Sequence, residues 1–380
     1  MFVCHFTGNI EPDAGGPAYS IPKLCETLRN QGHSVDLLTL RGSNEHLVTT
    51  QHRSFAMWKL PEKLGHAPDM WRWLSQSVKT SRPDILHSHN LWILPSIYPA
   101  IASSRWGIPH IVSPRGTLTR YSMSTGSSFK RIYWPLVQRP ALKHAAAFHA
   151  TADSELADIR RLGFKQPVAV IPNGIEIPPL PLSAAGAEPS KTILYFGRFH
   201  PEKGVANLLL AWDIASRAHP DWKLLLVGPD NVGYRSELEK LVKGRNIRGV
   251  TFEGPKYGSD KLGVYRRGTV YVLPSPSENF GITAAEALSM EVPVIANRGA
   301  PWAGLELRRC GWWIEHGVHP LAAALDIAMR TSSGELNAMG ARGRAWMSAE
   351  FSWPEIEKQM QSFYRFILGR EPKPSFVHLN

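Results

Sequence analysis

The chain has 380 residues, 43% of them hydrophobic and 20% charged, with a formal net charge of +11 at neutral pH. That length exceeds one ordinary hydrophobic core and predicts two domains, and the balanced composition excludes a disordered or fibrous chain. No apolar run reaches the roughly 18 residues of a membrane span, and "MFVCHFTGNIEPDAGG" at the N-terminus has neither the basic nor the long apolar region of a secretory signal.

In chain order, "MFVCHF" predicts a strand, and "GGPAYSIPKLCETLRNQGH" a glycine turn and a helix. In that helix Ile21, Leu24, Cys25 and Leu28 repeat with helical period. "SVDLLTL", "DILHSH", "HIVSP" and "AFHATA" predict further strands, with helical stretches between some of them. Such alternation points to βα units and a parallel sheet. The segment "IPNGIEIPPLPLSAAGAEPSKT" holds five prolines and no periodicity, which marks a domain boundary. The rhythm then restarts. "TILYFGR", "WKLLLVG", "VTFEG", "VYVLPS" and "VPVIAN" predict strands, and "GVANLLLAWDIASRAHP", "YRSELEKLVKGR", "GSDKLGVYRRG" and "GITAAEALSM" predict helices. Three more helical segments follow, the last being "WPEIEKQMQSFYRFILGR". Two doubly wound α/β halves result, with ligands expected at the carboxyl ends of their strands, in a cleft between the halves.

Three cysteines, Cys4, Cys25 and Cys310, are scattered and give no disulfide framework and no metal spacing, so a cytoplasmic setting is expected. The positive charge is uneven. From Ile101 to Ala150 there are seven basic residues (Arg105, Arg115, Arg120, Lys130, Arg131, Arg139, Lys143) and no acid, interleaved with Trp106, Phe129, Tyr133 and Trp134. A solvated basic face, an anionic membrane surface and a phosphate-bearing substrate all fit that stretch. No nucleic-acid motif accompanies it, so nucleic acid is not expected as a partner.

Four turns fall where the fold would place a ligand. Gly15 and Gly16 open the first helix, where backbone N–H groups could approach an anion. "GRFHPEKG" sets Arg198 and Lys203 in one glycine-bracketed loop, a fork and a mobile point charge suited to a diphosphate. In "SPSENFGITAAEAL" Glu278 precedes a helix, Gly281 stands at its start and Glu286 lies one to two turns inside. A helix start favours phosphate, and a carboxylate can accept from two hydroxyls of a sugar. In the first half, His87 and His89 alternate on one strand face, and Arg115 follows the next strand. A zinc site would need further ligands, and none is evident nearby in the sequence. The chain also lacks Asp-x-Asp, so no metal is expected beside the diphosphate.

Taken together and in this order, these pieces resemble the family-4 retaining glycosyltransferases of the GT-B fold. They include "DILHSH", "HATADSE", "IPNGIE", "GRFHPEKG", "LLLVG", "LPSPSENFGITAAEAL" and "VPVIAN", and cover nearly the whole chain. The resemblance implies an acceptor-binding domain over 1–172, a nucleotide-sugar-binding domain over 173–353, and a helix over 354–380 that crosses back to the first domain. It implies a UDP- or GDP-sugar donor, with Glu278 on the sugar hydroxyls and Phe280, Gly281 and Ile282 touching sugar and phosphate. Glu286 would take the ribose, Arg198 and Lys203 the diphosphate, and Gly15 and Gly16 would also approach the phosphates. Transfer would proceed with retention, and no cofactor or metal is expected. Where many relatives carry a histidine after "HIVSP", this chain offers Arg115, which with His89 is assigned to the acceptor or to phosphate. "NRGAPWAGLELRRCGWW" stands where relatives have a Gly-Gly turn and an aliphatic strand, a variant similar to O-antigen and exopolysaccharide transferases. It implies a glycan acceptor on a lipid diphosphate, and an enzyme peripheral on the cytoplasmic face of an anionic inner membrane. A nucleotide-sugar epimerase of the same fold and a transferase using a soluble acceptor are the alternatives.

Overall fold

The computed structural model describes residues 1–11, 15–40, 51–57, 65–124, 129–180 and 191–380. Residues 12–14 of the glycine turn, the side chain of Phe129 and residues 181–190 of the proline-rich segment lie outside the described residues. The chain divides into two compact units, Met1–Gly174 with Trp353–Asn380, and Ile175–Ser352.

The strands of the first unit are β1 (Phe2–Phe6), β2 (Ser34–Thr39), β3 (Gln51–Ser54), β4 (Ile85–His89), β5 (His110–Ser113), β6 (Ala147–Ala150) and β7 (Val168–Val170). Those of the second are β8 (Thr192–Phe196), β9 (Lys223–Val227), β10 (Val250–Glu253), β11 (Val270–Leu273), β12 (Val294–Asn297) and β13 (Gly311–Ile314). The chain ends with β14 (Val377–His378), which returns to the first sheet. That sheet runs β14-β7-β6-β5-β4-β1-β2-β3, parallel throughout except for β14 on β7. The second runs β10-β9-β8-β11-β12-β13 and is wholly parallel.

A parallel sheet covered on both faces needs apolar residues at odd and even positions alike. The second unit shows this directly. Ile193, Tyr195, Leu224, Leu226, Val270 and Val272 pack on one face with helices Val205–Ala215 and Val318–Arg330. Their alternates Leu194, Phe196, Leu225, Val227, Tyr271 and Leu273 pack on the other with helix Ile282–Ser289.

In the first unit Val3, Ile85, Ile111 and Ala147 face helices Gly16–Asn30 and Trp353–Ile367. The next positions of equal parity, toward the carboxyl ends, are His5, His87 with His89, Ser113 and His149, all buried. Each strand thus turns from apolar to polar on one face as it reaches the end where a ligand is expected.

One reading of the sequence needs correction, and one departure from the family pattern takes a definite form. The basic stretch does not form a single face: Arg115 is drawn inside, and Lys130 lies over the Trp92 ring at 4.9 Å and donates to the Ser122 carbonyl at 2.8 Å. "GWWI" in the departing "NRGAPWAGLELRRCGWW" segment is itself a strand, β13, at the sheet edge. Arg298 covers Trp313 there at 5.2 Å, and Trp313 Nε1 donates to the Ala300 carbonyl at 3.0 Å. A single glycine serves the turn, since a Cβ on Gly299 would lie 1.8 Å from the Pro276 carbonyl oxygen.

Candidate functional site

In the second unit the site is built on the ends of β8, β11 and β12. After β8 the chain makes a 3-10 turn, Pro201–Lys203, capped by the His200 ring accepting from the Glu202 N–H. Gly204 follows with φ 70°, and a Cβ there would stand 2.3 Å from the Pro274 carbonyl oxygen. Only glycine lets this turn lie against the loop that follows β11. That loop is also held by Asn297 Nδ2, which donates to the Pro274 and Ser275 carbonyls at 2.7 and 3.3 Å, and by Glu278 N–H to the Gly299 carbonyl at 3.0 Å.

These constraints bring two sequence-predicted residues together. Lys203 Nζ lies 2.6 Å from Glu278 Oε1, with side chains only 25% and 13% exposed. Three residues on, Gly281 (φ 77°) starts helix Ile282–Ser289 with no side-chain cap and no acid in its first turn. The positive end of that helix is therefore not neutralised from within. Phe280 is buried against Trp302, ring centroids 5.3 Å apart, so its side chain is taken up by packing and only its backbone is left to meet a ligand. Arg198 is exposed, and its guanidinium has no side-chain partner among the described residues.

Glu286 is held from two sides: Lys261 Nζ pairs with Oε1 and the Tyr265 hydroxyl donates to Oε2 at 2.7 Å. A carboxylate offers about four acceptor positions, so two stay open to a diol. Tyr265 is buried, which raises its pKa well above the usual value, with the Glu286 charge adding to the effect. It remains a proton donor to the carboxylate at any physiological pH. Lys261 and Tyr265 escaped the sequence reading. They stand four apart on helix Gly258–Arg266, which places them on one helix face, and that spacing was the available signal.

The first unit gathers the other group. Gly15 has φ 91° and precedes helix Gly16–Asn30, and a Cβ built on Gly15 or Gly16 meets no atom within 4 Å. Arg115 has φ 55°, a left-handed conformation that costs a non-glycine residue about 1–2 kcal/mol. Its guanidinium binds Asn173 Oδ1 and reaches His89 Nδ1 at 3.5 Å, so Arg115 and His89 do converge. Burial lowers the Arg115 pKa to about 10, which leaves it cationic at neutral pH.

The neighbourhood of His87 and His89 is richer than the sequence suggested. His5 and His149 join them. His5 Nδ1 lies 2.9 Å from His89 Nε2, His87 Nδ1 lies 2.7 Å from the Tyr364 hydroxyl, and His149 Nε2 donates to the Ile171 carbonyl at 2.9 Å. The ligand atoms of His5, His87 and His89 fall within 4.8 Å of one another, so the expectation that no third ligand is near is corrected. The donor set suits a transition metal, but the half-buried Arg115 charge beside His89 opposes a cation, and two of the rings already hydrogen-bond each other. Burial first, and Arg115 after it, pushes the His5 and His149 pKa values down to about 3, and burial also leaves His87 and His89 well below the usual value. His110 starts β5, where its Nε2 meets Ser88 Oγ at 2.8 Å.

Two family models match this sequence, "Glycosyl transferase 4-like domain" over residues 15–174 and "Glycosyl transferases group 1" over residues 183–346. The chain belongs to the GT-B glycosyltransferases of family-4 type. Among the relatives of this glycosyltransferase is the D-inositol 3-phosphate glycosyltransferase of Corynebacterium urealyticum, 24% identical over 93% of this chain and 91% of that protein. Another is the GDP-mannose:cellobiosyl-diphosphopolyprenol alpha-mannosyltransferase of Xanthomonas campestris, 22% identical over 78% of this chain and 79% of that protein. The fold matches sucrose-phosphate synthase of Thermosynechococcus elongatus with a TM-score of 0.76 at 22% identity, covering 97% of this chain and 100% of that one. It also matches Anabaena HepE, solved with UDP and glucose, with a TM-score of 0.74 at 18% identity over 96% and 99% of the two chains.

The Gly204 turn of the glycosyltransferase gives a direct test of how the site is held. Gly204→Ala must accept both a positive φ and a clash with backbone, so a loss of roughly 2 kcal/mol or more is expected. For a unit of this size that lowers the melting temperature by about 4–8 °C. An unchanged melting curve would show that the turn does not brace the Glu278 loop.

Proposed function

We propose that this glycosyltransferase moves a sugar with retention from a UDP- or GDP-sugar to a glycan carried on a lipid diphosphate, at the cytoplasmic face of a bacterial inner membrane. The observation that carries the reading is the Lys203–Glu278 pair set three residues before the uncapped start of helix Ile282–Ser289. A cation from the turn after β8, and a hydroxyl-binding carboxylate and a positive helix end from the loop after β11, match the parts of a sugar nucleotide. Glu278 takes donor-sugar hydroxyls, the backbone of Phe280, Gly281 and Ile282 takes sugar and phosphate, and Glu286 takes the ribose. Arg198 and Lys203 receive the charge of the departing diphosphate, and Gly15 and Gly16, opening a helix of the first unit, offer backbone N–H groups to an anion. In the transfer the anomeric C–O bond breaks with its electron pair going to the diphosphate. The acceptor oxygen bonds to the same face, and its proton passes to a phosphate oxygen. Positioning and fixed charge supply the catalysis, and no metal or other cofactor is required.

Arg115 and His89, converging in the first unit, are assigned to the acceptor or its phosphate. The Xanthomonas relative, whose name specifies a diphosphopolyprenol acceptor, supports the lipid-linked reading. The inositol phosphate relative favours a soluble acceptor as the second reading. Thermal shift against UDP, GDP and their sugars tests the donor. A ligand at a hundredfold excess over its dissociation constant adds about 2.7 kcal/mol, which for a unit of this size is roughly 5–10 °C. No shift with any nucleotide would overturn the reading. Incubation with donor alone separates transfer from epimerisation, since only an epimerase converts donor without acceptor.

A further inference from the structure

The basic stretch, once Arg115 and Lys130 are set aside, leaves a compact feature. Residues 129–143 run as one continuous helical segment: a helix over Phe129–Tyr133, a π-helical turn over Trp134–Gln138 and a helix over Arg139–Lys143. Tyr133, Gln138 and Leu142 are buried beneath it. Its outer face carries Ile132 and Leu136, 64% and 71% exposed, one turn apart and therefore adjacent. Arg131, Arg139 and Lys143 are exposed around them, and none has a side-chain ion-pair partner among the described residues. No Asp or Glu occurs anywhere from Ile101 to Ala150 to neutralise them.

A lone exposed leucine is ordinary. Two large aliphatic side chains side by side, with three exposed cations on the same segment and no acid in the sequence from Ile101 to Ala150, are a different pattern. We propose that this outer face is a membrane-docking surface, with Ile132 and Leu136 entering the acyl boundary of an anionic leaflet and Arg131, Arg139 and Lys143 on its phosphates. A bilayer interface satisfies both halves of the pattern, because apolar burial and attraction to anionic headgroups add there. A nucleic-acid backbone would use the cations and leave the aliphatic pair in water. The segment is about 22 Å long and charged, so it lies on the surface rather than across it. The inference rests on the lipid-linked acceptor reading for its purpose, because a transferase of that kind must reach a substrate confined to the leaflet.

The test is co-sedimentation of the full chain with vesicles of about one-third phosphatidylglycerol in phosphatidylcholine, against pure phosphatidylcholine, at low and raised salt. Expected is partition onto the anionic vesicles alone, weakening with salt. Ile132→Glu with Leu136→Glu should lower it on the order of a hundredfold, and Arg131→Gln with Arg139→Gln and Lys143→Gln by a similar factor, each cation being worth roughly fivefold. Leu307→Glu with Ile327→Glu, exposed apolar sites of the second unit, should leave it unchanged. Because the three native cysteines are buried, Leu136→Cys can carry an environment-sensitive fluorophore, and its emission should shift to the blue on anionic vesicles even if the charged variants fold poorly. Equal binding to both vesicle types, no binding, an unshifted probe, or capture by an acidic polypeptide with no affinity for vesicles would each overturn the proposal. Nucleotide thermal shifts on the same preparations separate the two readings: lost docking with intact nucleotide binding removes only this surface, and the converse removes only the donor assignment.

Discussion

Lys203→Ala is expected to lower kcat for sugar transfer by roughly a hundredfold to a thousandfold, the usual effect of removing one preorganised charge from a developing anion. The structure adds a second consequence. Lys203 is bound to Glu278 at 2.6 Å, and Glu278 is largely buried, so the substitution also leaves a carboxylate without its partner. That costs about 1–3 kcal/mol of stability, which Glu278→Gln relieves. The two effects separate in a double-mutant cycle: the stability terms of Lys203→Ala and Glu278→Gln should be strongly non-additive, whereas nucleotide thermal shift and kcat report the loss at the diphosphate. If Lys203→Ala lowers stability but leaves kcat within a few-fold of the parent, Lys203 is a structural partner of Glu278 and not a diphosphate ligand.

The first unit is expected to unfold in mild acid before the second. His5, His110 and His149 have pKa values pushed down to about 3 by burial, and burial leaves His87 and His89 well below the usual value. In the unfolded chain each titrates near 6.5. Between those values the unfolded form binds protons that the folded form does not, so stability is full above about pH 6.5 and falls as the pH drops. Each such histidine contributes up to about 1.4 kcal/mol per pH unit. Together they can exhaust an ordinary domain stability of roughly 5–15 kcal/mol within one to two units of pH. Asp36, Glu155 and Glu357, whose carboxyl pKa values burial raises, act in the opposite sense at lower pH, where the folded form holds the extra proton. The second unit buries no histidine among its described residues; His219 faces Asp326 at 2.9 Å. A pH titration read by hydrogen exchange should show protection lost near pH 5 in β1, β4 and β6 while β8, β9 and β11 stay protected. Simultaneous loss in both units, or stability held to pH 4 in the first, would contradict the assignment of these rings as buried and neutral.

Much of this was legible in the chain because the signals are local. The βα rhythm gave most strands and helices, since apolar periodicity is written into consecutive residues. Gly281 with φ 77° and the flanking Glu278 and Glu286 could be placed because a helix start and its neighbours lie within a few positions. The strands β3, β7, β13 and β14 were missed: β3 is polar, β7 and β14 are only three and two residues long, and β13 is a half-buried edge strand, so none shows the buried apolar run that made most of the other short strands legible. The basic stretch was visible as composition, but composition does not say which way a side chain points. Arg115 turns inward through a left-handed residue, while Arg131, Arg139 and Lys143 stay outside.

By itself the sequence determined the α/β class, the two-part organisation and the glycine-bracketed loops that hold Arg198, Lys203 and Glu278, because these depend on pattern along the chain. Only the tertiary structure decided the partnerships. Lys203 meets Glu278 across 75 positions, Glu286 meets Lys261 and Tyr265, and His5 joins His87, His89 and Tyr364 across 359. Parallel strands bring their carboxyl ends side by side whatever their distance in sequence, so contacts of this kind follow from sheet order and register, which no local stretch of residues encodes.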